Sequence, residues 1–377
     1  MAVISYLTRI LFDFGVLAEL RTELATLGIR KPLLVTDRGV VAAGLAERAL
    51  QAMGAGIEAT VYQDTPANPT EAAVKQATAL YREARCDGLV AIGGGSSMDL
   101  AKAVAIIATH DGPLRSYAAV EGGMPRITAA VAPLIAIPTT AGTGSEVGRG
   151  AVIVFDDGRK LGLLSPHLLP KVALCDPELT LDLPAPITAA TGMDAVAHCI
   201  ETYLSPLVNP PAEAIACDGL GRAIAHIERA VADGHDREAR WNMMMASMEG
   251  AMAFQKGLGA VHAMSHPLGG LPDLKLHHGT LNAVVMPAVL RFNAGHVGRK
   301  YEHLHAVMGL APGVDLADAI AALNARLGLP ANLAEMGVPR QVIPAMAVLA
   351  EQDHTNQTNP RPAKAEDYET LFAEAMG

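Results

Sequence analysis

The stretch "DGLVAIGGGSSMDLAKAVA" (residues 87–105) decides the fold, because it joins a buried strand to a helix through three glycines. Its first half is a short apolar run that ends in a turn signal, which is typical of a buried strand. A helical pattern follows over residues 97–108. The order of strand, glycine turn and helix predicts a parallel sheet whose crossover connections are helices.

The same alternation of short apolar runs and longer helical patterns extends through the first half of the chain. Strands are predicted at residues 31–37, 57–63, 87–95 and 133–140, and helices at residues 39–53, 70–84 and 97–108. Residues 151–164 contain two apolar runs around Asp157 and Gly158, a pattern that predicts a hairpin. Strands and helices at this spacing predict a sheet wound by right-handed crossovers.

The character of the sequence changes at about residue 185, where β-rich runs become scarce and helical spacing dominates. The proline-containing segment "LTLDLPAP" (179–186) is the predicted seam. A chain of 377 residues is long enough for two hydrophobic cores. We therefore predict an α/β domain over residues 1–183 and an all-α domain over residues 184–377.

Composition excludes several classes of partner. The net charge is −10, and no basic block is present, so nucleic acid and anionic membranes are not expected to bind. No apolar run approaches the ~20 residues that a membrane span needs. The four cysteines, which form no CxxC pair, are typical of a reduced, cytoplasmic protein; they are Cys86, Cys175, Cys199 and Cys217.

Two loops of small residues follow predicted strands. One is the glycine turn at residues 93–95, and the other is "PTTAGTGSE" (138–146). Glycines let backbone N–H groups approach a phosphate, and the N-terminus of the following helix attracts the same charge. The turn matches neither GxGxxG nor a Walker loop, and by itself it is equally well a tight turn before a helix. Two such loops at strand ends favour a phosphate-bearing cofactor.

Asp37 ends the first predicted strand, in "LLVTDRG". A carboxylate at this place accepts hydrogen bonds from an adenosine ribose and repels a 2′-phosphate. It is equally suited to cap the helix that follows. The two roles are compatible.

Side chains suited to a divalent metal fall in three short segments of the helical half. They are Asp194 and His198, one or both of His262 and His266, and one of His277 and His278. Asp194 and His198 are four residues apart and share a helix face. Pro267 disfavours helical geometry at His266, so spacing does not show where that histidine points. The alternative is a set of polar pairs that bind nothing.

The chain resembles the iron-dependent (group III) alcohol dehydrogenase family in a collinear series of segments. These are "NPT" (68–70), "GGGSSMDLAKAVA" (93–105), "IPTTAGTGSEV" (137–147), "CDPELTLDLP" (175–184), "TAATGMDAVAHCIETYLSP" (188–206), "GLGAVHAMSHPLGG" (257–270), "HHGTLNAVVMP" (277–287) and "TNPRP" (358–362). The resemblance implies a Rossmann-like, dinucleotide-binding N-terminal domain and a helical, metal-binding C-terminal domain. Dehydroquinate synthases share this architecture.

The resemblance also implies the site residues. The implied metal ligands are Asp194, His198, His262 and His278, and His266 is a candidate proton relay near the nicotinamide. The implied NAD contacts are Gly94, Gly95 and Ser96 at the pyrophosphate with Asp99 close by, Thr139, Thr140 and Thr143 along the cofactor, Asn68 near the adenosine, and Lys160 at a ribose. Asp37 favours NAD over NADP.

The implied activity is reversible hydride transfer between NAD and a small primary alcohol or hydroxy acid. Fe²⁺, Zn²⁺ or another divalent metal would polarise the oxygen of the alcohol or aldehyde. Arg149 and Lys256 lie in segments near the active site of the family. They favour an anionic substrate if they face it, and otherwise they are solvated or paired with acids. The family suggests a homodimer or a larger homo-oligomer.

Other interpretations remain open on the sequence. A glycerol dehydrogenase, a maleylacetate reductase or a dehydroquinate synthase-like lyase would share the NAD-binding half. "GMDAVAHCIE" and "HHGTLN" favour an alcohol dehydrogenase. A non-catalytic protein with a structural metal is a different class, but structural zinc sites are usually rich in cysteine.

Overall fold

The computed structural model describes residues 8–271 and 274–377. Within them the chain forms two compact units. The first contains residues 8–140 and 144–183, and the second contains residues 141–143 and 184–377. The change at residues 183 and 184 falls inside the segment predicted as the seam.

The first unit is built on a six-stranded sheet in which every pairing is parallel. The strands are β1 (Arg9–Phe12), β2 (Pro32–Val35), β3 (Thr60–Tyr62), β4 (Gly88–Gly93), β5 (Leu134–Pro138) and β8 (Val172–Cys175), in the spatial order β1-β8-β5-β4-β2-β3. Strands β6 (Gly150–Val154) and β7 (Lys160–Leu164) form the predicted antiparallel hairpin. The α/β fold class is confirmed.

The helices of this unit are α1 (Leu20–Leu27), α2 (Arg38–Ala42), α3 (Leu45–Met53), α4 (Glu71–Glu83) and α5 (Gly95–Ile107). The prediction of one helix over residues 39–53 is wrong, because the helix is interrupted between α2 and α3. Gly44 has a φ of 74° there, a left-handed conformation that interrupts the helical hydrogen bonds. Alternate residues of β2 and β4 face two separate apolar cores, which explains their continuous apolar sequence.

Strand order places the predicted loops together. From β2 the chain first moves outward to β3 and then returns to the other side of β2 as β4. The carboxyl ends of β2 and β4 therefore form a topological switch point, where open parallel sheets bind ligands. The loop after β5 joins them, since the Thr139 N–H donates to the Gly93 carbonyl over 3.0 Å.

The second unit contains no strand among its described residues. Its helices are α6 (Ala185–Leu204), α7 (Pro210–Ala232), α8 (Arg237–Ala253), α9 (Ala260–Gly269), α10 (His278–Asn293), α11 (Lys300–Val307), α12 (Leu316–Arg326), α13 (Ile343–Gln352) and α14 (Ala365–Ala375). Every residue of α6 from Thr188 to Leu204 is buried, so α6 is a central helix. Its polar side chains must find partners inside the protein.

The expectation that Pro267 opposes helical geometry at His266 is wrong, because α9 continues through Pro267 to Gly269. His262 and His266 therefore lie on one regular helix. Among the described residues, no helix combines the length and the apolar character that a membrane crossing requires.

Candidate active site

Three imidazoles converge on one carboxylate oxygen inside the helical unit. Asp194 Oδ1 lies 3.8 Å from Nε2 of His198, 3.8 Å from Nε2 of His262 and 3.7 Å from Nε2 of His278. Donor atoms of Asp194, His262 and His278 all lie within 4.8 Å of one another. We call Asp194, His198, His262 and His278 the donor cluster. Two ligands of one divalent ion, at bond lengths of ~2.1 Å, lie ~3 to 4 Å apart, so the spacing fits a metal.

Three helices bring the cluster together. Helix α6 presents Asp194 and His198 one turn apart, α9 contributes His262 from its first turn, and α10 begins at His278. Gly279 makes the last placement possible, since a Cβ there would lie 2.1 Å from the Ala190 carbonyl oxygen. The missing side chain lets α10 approach α6 closely.

The Asn282 amide nitrogen lies against the acceptor atoms of the donor cluster. Its Nδ2 donates to Asp194 Oδ1 over 2.7 Å and lies 3.2 Å and 3.3 Å from Nε2 of His262 and His278. Its Oδ1 is buried and accepts no hydrogen bond from any described residue. The lone pairs of the donor cluster thus point to one place, and an electropositive group satisfies them there. An Asp/His set of this kind fits a divalent cation.

Burial shifts the pKa of His262 in the donor cluster and that of Glu201 behind it. It lowers the pKa of His262 well below its ordinary value, and the neighbouring His198 lowers it further. A neutral imidazole is the form that binds a metal. Burial also raises the pKa of Glu201, while the Val261 N–H and the neighbouring His198 act in the opposite direction. Glu201 was not predicted, although it follows His198 by three residues on the same helix face.

His266 lies beside the donor cluster rather than in it. Its ring stacks on His278 with centroids 5.5 Å apart, and its Nδ1 is 2.9 Å from Asp353 Oδ2. The His354 ring stacks on His266 at 5.9 Å. Burial by itself raises the pKa of Asp353, but the adjacent His266 and His354 bring it well below its ordinary value. No local pattern pointed to Asp353 or His354.

The glycine turn leaves the N-terminus of α5 open. Gly93 has a φ of 150°, and a Cβ there would lie 2.6 Å from Ser97 Oγ, so only glycine fits. Gly94 is the N-cap of α5, and as a glycine it offers no side chain to accept a hydrogen bond from the first N–H groups of the helix. The first N–H groups of a thirteen-residue helix are therefore available to a phosphate. The Ser96 hydroxyl donates to the Ala67 carbonyl over 2.5 Å.

Asp37 faces this turn and caps a helix at the same time. Its Oδ1 accepts from the N–H groups of Gly39 and Val40 over 2.8 and 3.0 Å, which is the predicted capping role. Its Oδ2 lies 3.4 Å from Ser97 Oγ, at the start of α5. The switch point of the sheet thus presents both a carboxylate and a helix N-terminus.

Five of the remaining predicted cofactor residues fall into three groups. Lys160 Nζ donates to Asn68 Oδ1 over 3.1 Å, so these two lie together. Thr139 is buried, and the Thr140 side chain lies 3.4 Å from the position of a Cβ on Gly94. Thr143 belongs to the helical unit.

Asp99 has partners inside its own unit. Its two oxygens accept from the Ser145 hydroxyl over 2.7 Å and the Val152 N–H over 2.9 Å. Lys102 is fully buried and donates to Ser145 Oγ over 2.8 Å. The structure therefore places Asp99 in a network that holds the loop after β5.

Two family descriptions match the chain. "Iron-containing alcohol dehydrogenase" matches residues 8–177, and "Fe-containing alcohol dehydrogenase family, C-terminal" matches residues 188–376. The 4-hydroxybutyrate dehydrogenase of Cupriavidus necator is 60% identical over 383 aligned residues, which cover 100% of both chains. The NAD-dependent methanol dehydrogenase of Bacillus methanolicus is 36% identical and covers 96% of each chain. A crystal structure of a 1,3-propanediol oxidoreductase has a TM-score of 0.93 at 35% identity, with 100% of both chains covered.

The chain belongs to the iron-containing alcohol dehydrogenase family. It is an oxidoreductase that acts on the alcohol group of a small molecule, and this prediction is confirmed. The family description names iron, and the methanol dehydrogenase is named for NAD. The predicted cofactors, NAD with Fe²⁺ or another divalent metal, agree with the family.

In this alcohol dehydrogenase, the adjacent residues His277 and His278 have different surroundings. His277 is exposed and forms the N-cap of α10, whereas His278 enters the donor cluster. The structure likewise separates His262, whose Nε2 faces Asp194, from His266, whose Nδ1 contacts Asp353.

Lys256 does not face an open site. Its side chain is buried, and its ammonium donates to three backbone carbonyls at the end of α6 and pairs with Glu213 over 3.1 Å. Burial lowers the pKa of Lys256 to about 8, and the adjacent Lys300 contributes. A cation at the C-terminus of a helix stabilises it. Lys256 thus supports the helix that carries Asp194 and His198.

Proposed function

We propose that this alcohol dehydrogenase interconverts a short ω-hydroxy acid of the 4-hydroxybutyrate type and its semialdehyde, with NAD as the hydride carrier. The observation that carries this proposal is the 60% identity to a 4-hydroxybutyrate dehydrogenase along the whole chain. The donor cluster and the open N-terminus of α5 support the two cofactors that such a reaction needs.

The proposal gives each unit a role. The α/β unit binds NAD through the turn at Gly94 and through Asp37. The helical unit binds the metal through the donor cluster. When bound, the divalent ion would supply Lewis-acid chemistry and NAD⁺ would supply the hydride acceptor. Asp194, His198 and His262 are buried, which supports this assignment because a dry site strengthens electrostatic stabilisation.

The proposed task of His266 is to take the proton that the alcohol releases. Its Nδ1 contacts Asp353, so its Nε2 points away from that carboxylate and remains available. His354 extends the stack toward solvent, since its side chain is 41% exposed while that of His266 is 10% exposed.

Arg149 is the proposed partner of the substrate carboxylate. It is exposed and lies between the loop at residues 138–146 and β6, which it immediately precedes. Lys256, the other cation that the sequence offered, already has four acceptors around its ammonium. A guanidinium binds a carboxylate through two parallel hydrogen bonds, which gives both affinity and orientation.

Steady-state kinetics with a charged and a neutral substrate test this function. The metal-loaded protein is assayed with NAD⁺ and either 4-hydroxybutyrate or 1-butanol. We expect the acid to have the higher kcat/KM. Arg149→Met should lower kcat/KM for the acid about 10- to 100-fold and leave 1-butanol nearly unchanged, because one charge-assisted contact is lost.

Lys256→Met is the matched control. It removes a cation that holds α6, so it should lower the thermal stability and reduce both activities in parallel. If Arg149→Met lowered kcat/KM equally for both substrates, the proposed anionic substrate would be overturned. The assignment as an alcohol dehydrogenase would stand. Absence of NADH formation with any alcohol by metal-loaded protein would overturn the proposed function itself.

We also propose a homodimer or larger homo-oligomer and a cytoplasmic location. The neighbouring apolar residues Leu207 and Val208 are 50% and 73% exposed and support self-association. The four cysteines are unpaired, which fits a reducing compartment. Light scattering coupled to size exclusion measures the oligomer, and a monomeric mass would contradict it.

A further inference from the structure

Glu201 is a buried carboxylate whose two oxygens serve different groups. Its side chain is 5% exposed. Oε1 accepts from the Val261 N–H over 2.7 Å, and Oε2 lies 2.5 Å from Nδ1 of His262. One side chain of α6 thus contacts both the backbone and the side chain of the first turn of α9.

The first turn of α9 is capped from outside the helix. Gly259 is the N-cap and has no side chain to offer. Asn359 Oδ1 accepts the Ala260 N–H over 3.1 Å, and Glu201 accepts the next N–H. A Cβ on Gly259 would lie 2.8 Å from Asn359 Oδ1 and 2.9 Å from Glu201 Oε1. The glycine therefore makes room for the side chains of Asn359 and Glu201, which accept hydrogen bonds from the first N–H groups of α9.

The contact with Nδ1 links the tautomer of His262 to Glu201. A neutral imidazole has one N–H and one lone pair. When Nδ1–H donates to a carboxylate, the lone pair lies on Nε2, which faces Asp194. The other tautomer would direct a proton into the donor cluster. His198 provides the contrast, because its buried Nδ1 has no hydrogen-bond partner among the described residues.

We propose that Glu201 is a positioning residue that fixes His262 in the tautomer and orientation needed for metal binding, an inference that rests on the proposed metal site. Carboxylates that hold the second nitrogen of a metal-binding histidine raise the basicity of the ligand and restrict its ring. Glu201 performs this task and caps α9 with the same group. The N-terminus of α9 and the orientation of His262 are therefore set together.

Glu201→Gln separates the two tasks. The amide oxygen can still accept the Val261 N–H, so the cap is retained. The amide nitrogen then faces Nδ1 of His262 and donates to it, which puts the proton on Nε2. Asn359→Ala is the matched control, because it removes a cap from the same helix turn without a contact to His262. Asn359→Ser is a milder version if the alanine variant does not fold.

The measurement is the dissociation constant for Zn²⁺ or Fe²⁺, from competition with a chromophoric chelator on metal-free protein. Thermal unfolding of the same metal-free samples reports damage to the fold. We expect Glu201→Gln to weaken metal binding about 10- to 100-fold. The Asn359 variants should change it less than about 3-fold while they lower the melting temperature at least as much.

Equal metal affinity in Glu201→Gln and the unmodified protein would overturn the proposal for Glu201 and leave the metal site standing. An equal loss in the Asn359 variants would also overturn it, since any loosening of α9 would then suffice. If the unmodified protein binds neither metal, the proposed metal site fails, and the role of Glu201 fails with it.

Discussion

The donor cluster and the glycine turn are both polar sites inside apolar surroundings, yet they are built in different ways. The cluster consists of side chains from three helices, and His262 lies 61 residues from the carboxylate that contacts its Nδ1. The turn consists mainly of backbone, and all of it lies within one strand–helix connection. A backbone site depends on which conformations its glycines allow, whereas a side-chain site depends on distant helices packing in register.

This difference predicts how each site fails. Substitution of one residue of the donor cluster removes or misplaces a metal ligand. Its effect on activity should therefore be large, and its effect on NAD binding at the glycine turn should be small. A change in the turn alters the approach of a phosphate, so it should affect cofactor affinity and leave the metal in place. The first three predictions below test this separation, and the fourth concerns the stability of the α/β unit.

Asp194→Asn should have the largest effect. The oxygen of Asp194 is the atom on which all three imidazoles converge. Without its charge, metal retention should fall, and kcat/KM should drop roughly a thousand-fold, since Lewis-acid stabilisation contributes several kcal/mol. Metal analysis and steady-state kinetics measure both. Asp353→Asn is the control and should keep its metal; full metal content and activity in Asp194→Asn would disprove the cluster.

Gly93→Ala should affect the other site. A Cβ at a φ of 150° lies 2.6 Å from Ser97 Oγ, so the turn must shift. We expect NADH to bind about 10-fold more weakly, with unchanged metal content, because backbone strain costs ~1 to 3 kcal/mol. Gly122→Ala is the control, since Gly122 also has positive φ but has open space around it. NADH affinity that stays at the level of the control would argue against a phosphate at this turn.

Asp37→Asn tests the choice of cofactor at a smaller cost. Asparagine caps a helix about as well as aspartate, so α2 should remain stable. Loss of the charge should reduce the preference for NAD over NADP roughly 5-fold, measured as the ratio of kcat/KM values. Asp315→Asn changes a similar cap in α12 and should leave that ratio alone. An unchanged ratio in Asp37→Asn would assign Asp37 to capping only.

Glu146→Gln should alter only the pH dependence of stability. Burial raises the pKa of Glu146 from 4.5 to about 7. Between these values the unfolded chain has lost the proton that the folded chain keeps, so stability should fall as pH rises from 4.5 to 7. The variant should lack this fall and gain ~3 kcal/mol relative to the unmodified protein at pH ~8. Urea unfolding of metal-free protein at several pH values measures it, with exposed Glu19→Gln as control; parallel profiles would contradict it.

Local patterns were sufficient for the features that depend on local conformation. The strand–glycine–helix order around Gly93 predicted β4 and α5, and Asp157 and Gly158 predicted the hairpin. Strands β1 and β8 were not predicted; they pair with each other from opposite ends of the α/β unit's sequence. The break at Gly44 was missed for a similar reason, since a glycine in a helical pattern is often tolerated.

The sequence by itself determined which residue types could form each site: a carboxylate and an imidazole on one face of α6, and glycines where the backbone must turn. Only the tertiary structure decided that His262 and His278 join Asp194, that His266 joins Asp353, and that Lys256 holds the end of α6. Spacing along one helix fixes the direction of its side chains to within a face. The partner of a buried polar group comes from another helix, and its identity depends on how those helices pack.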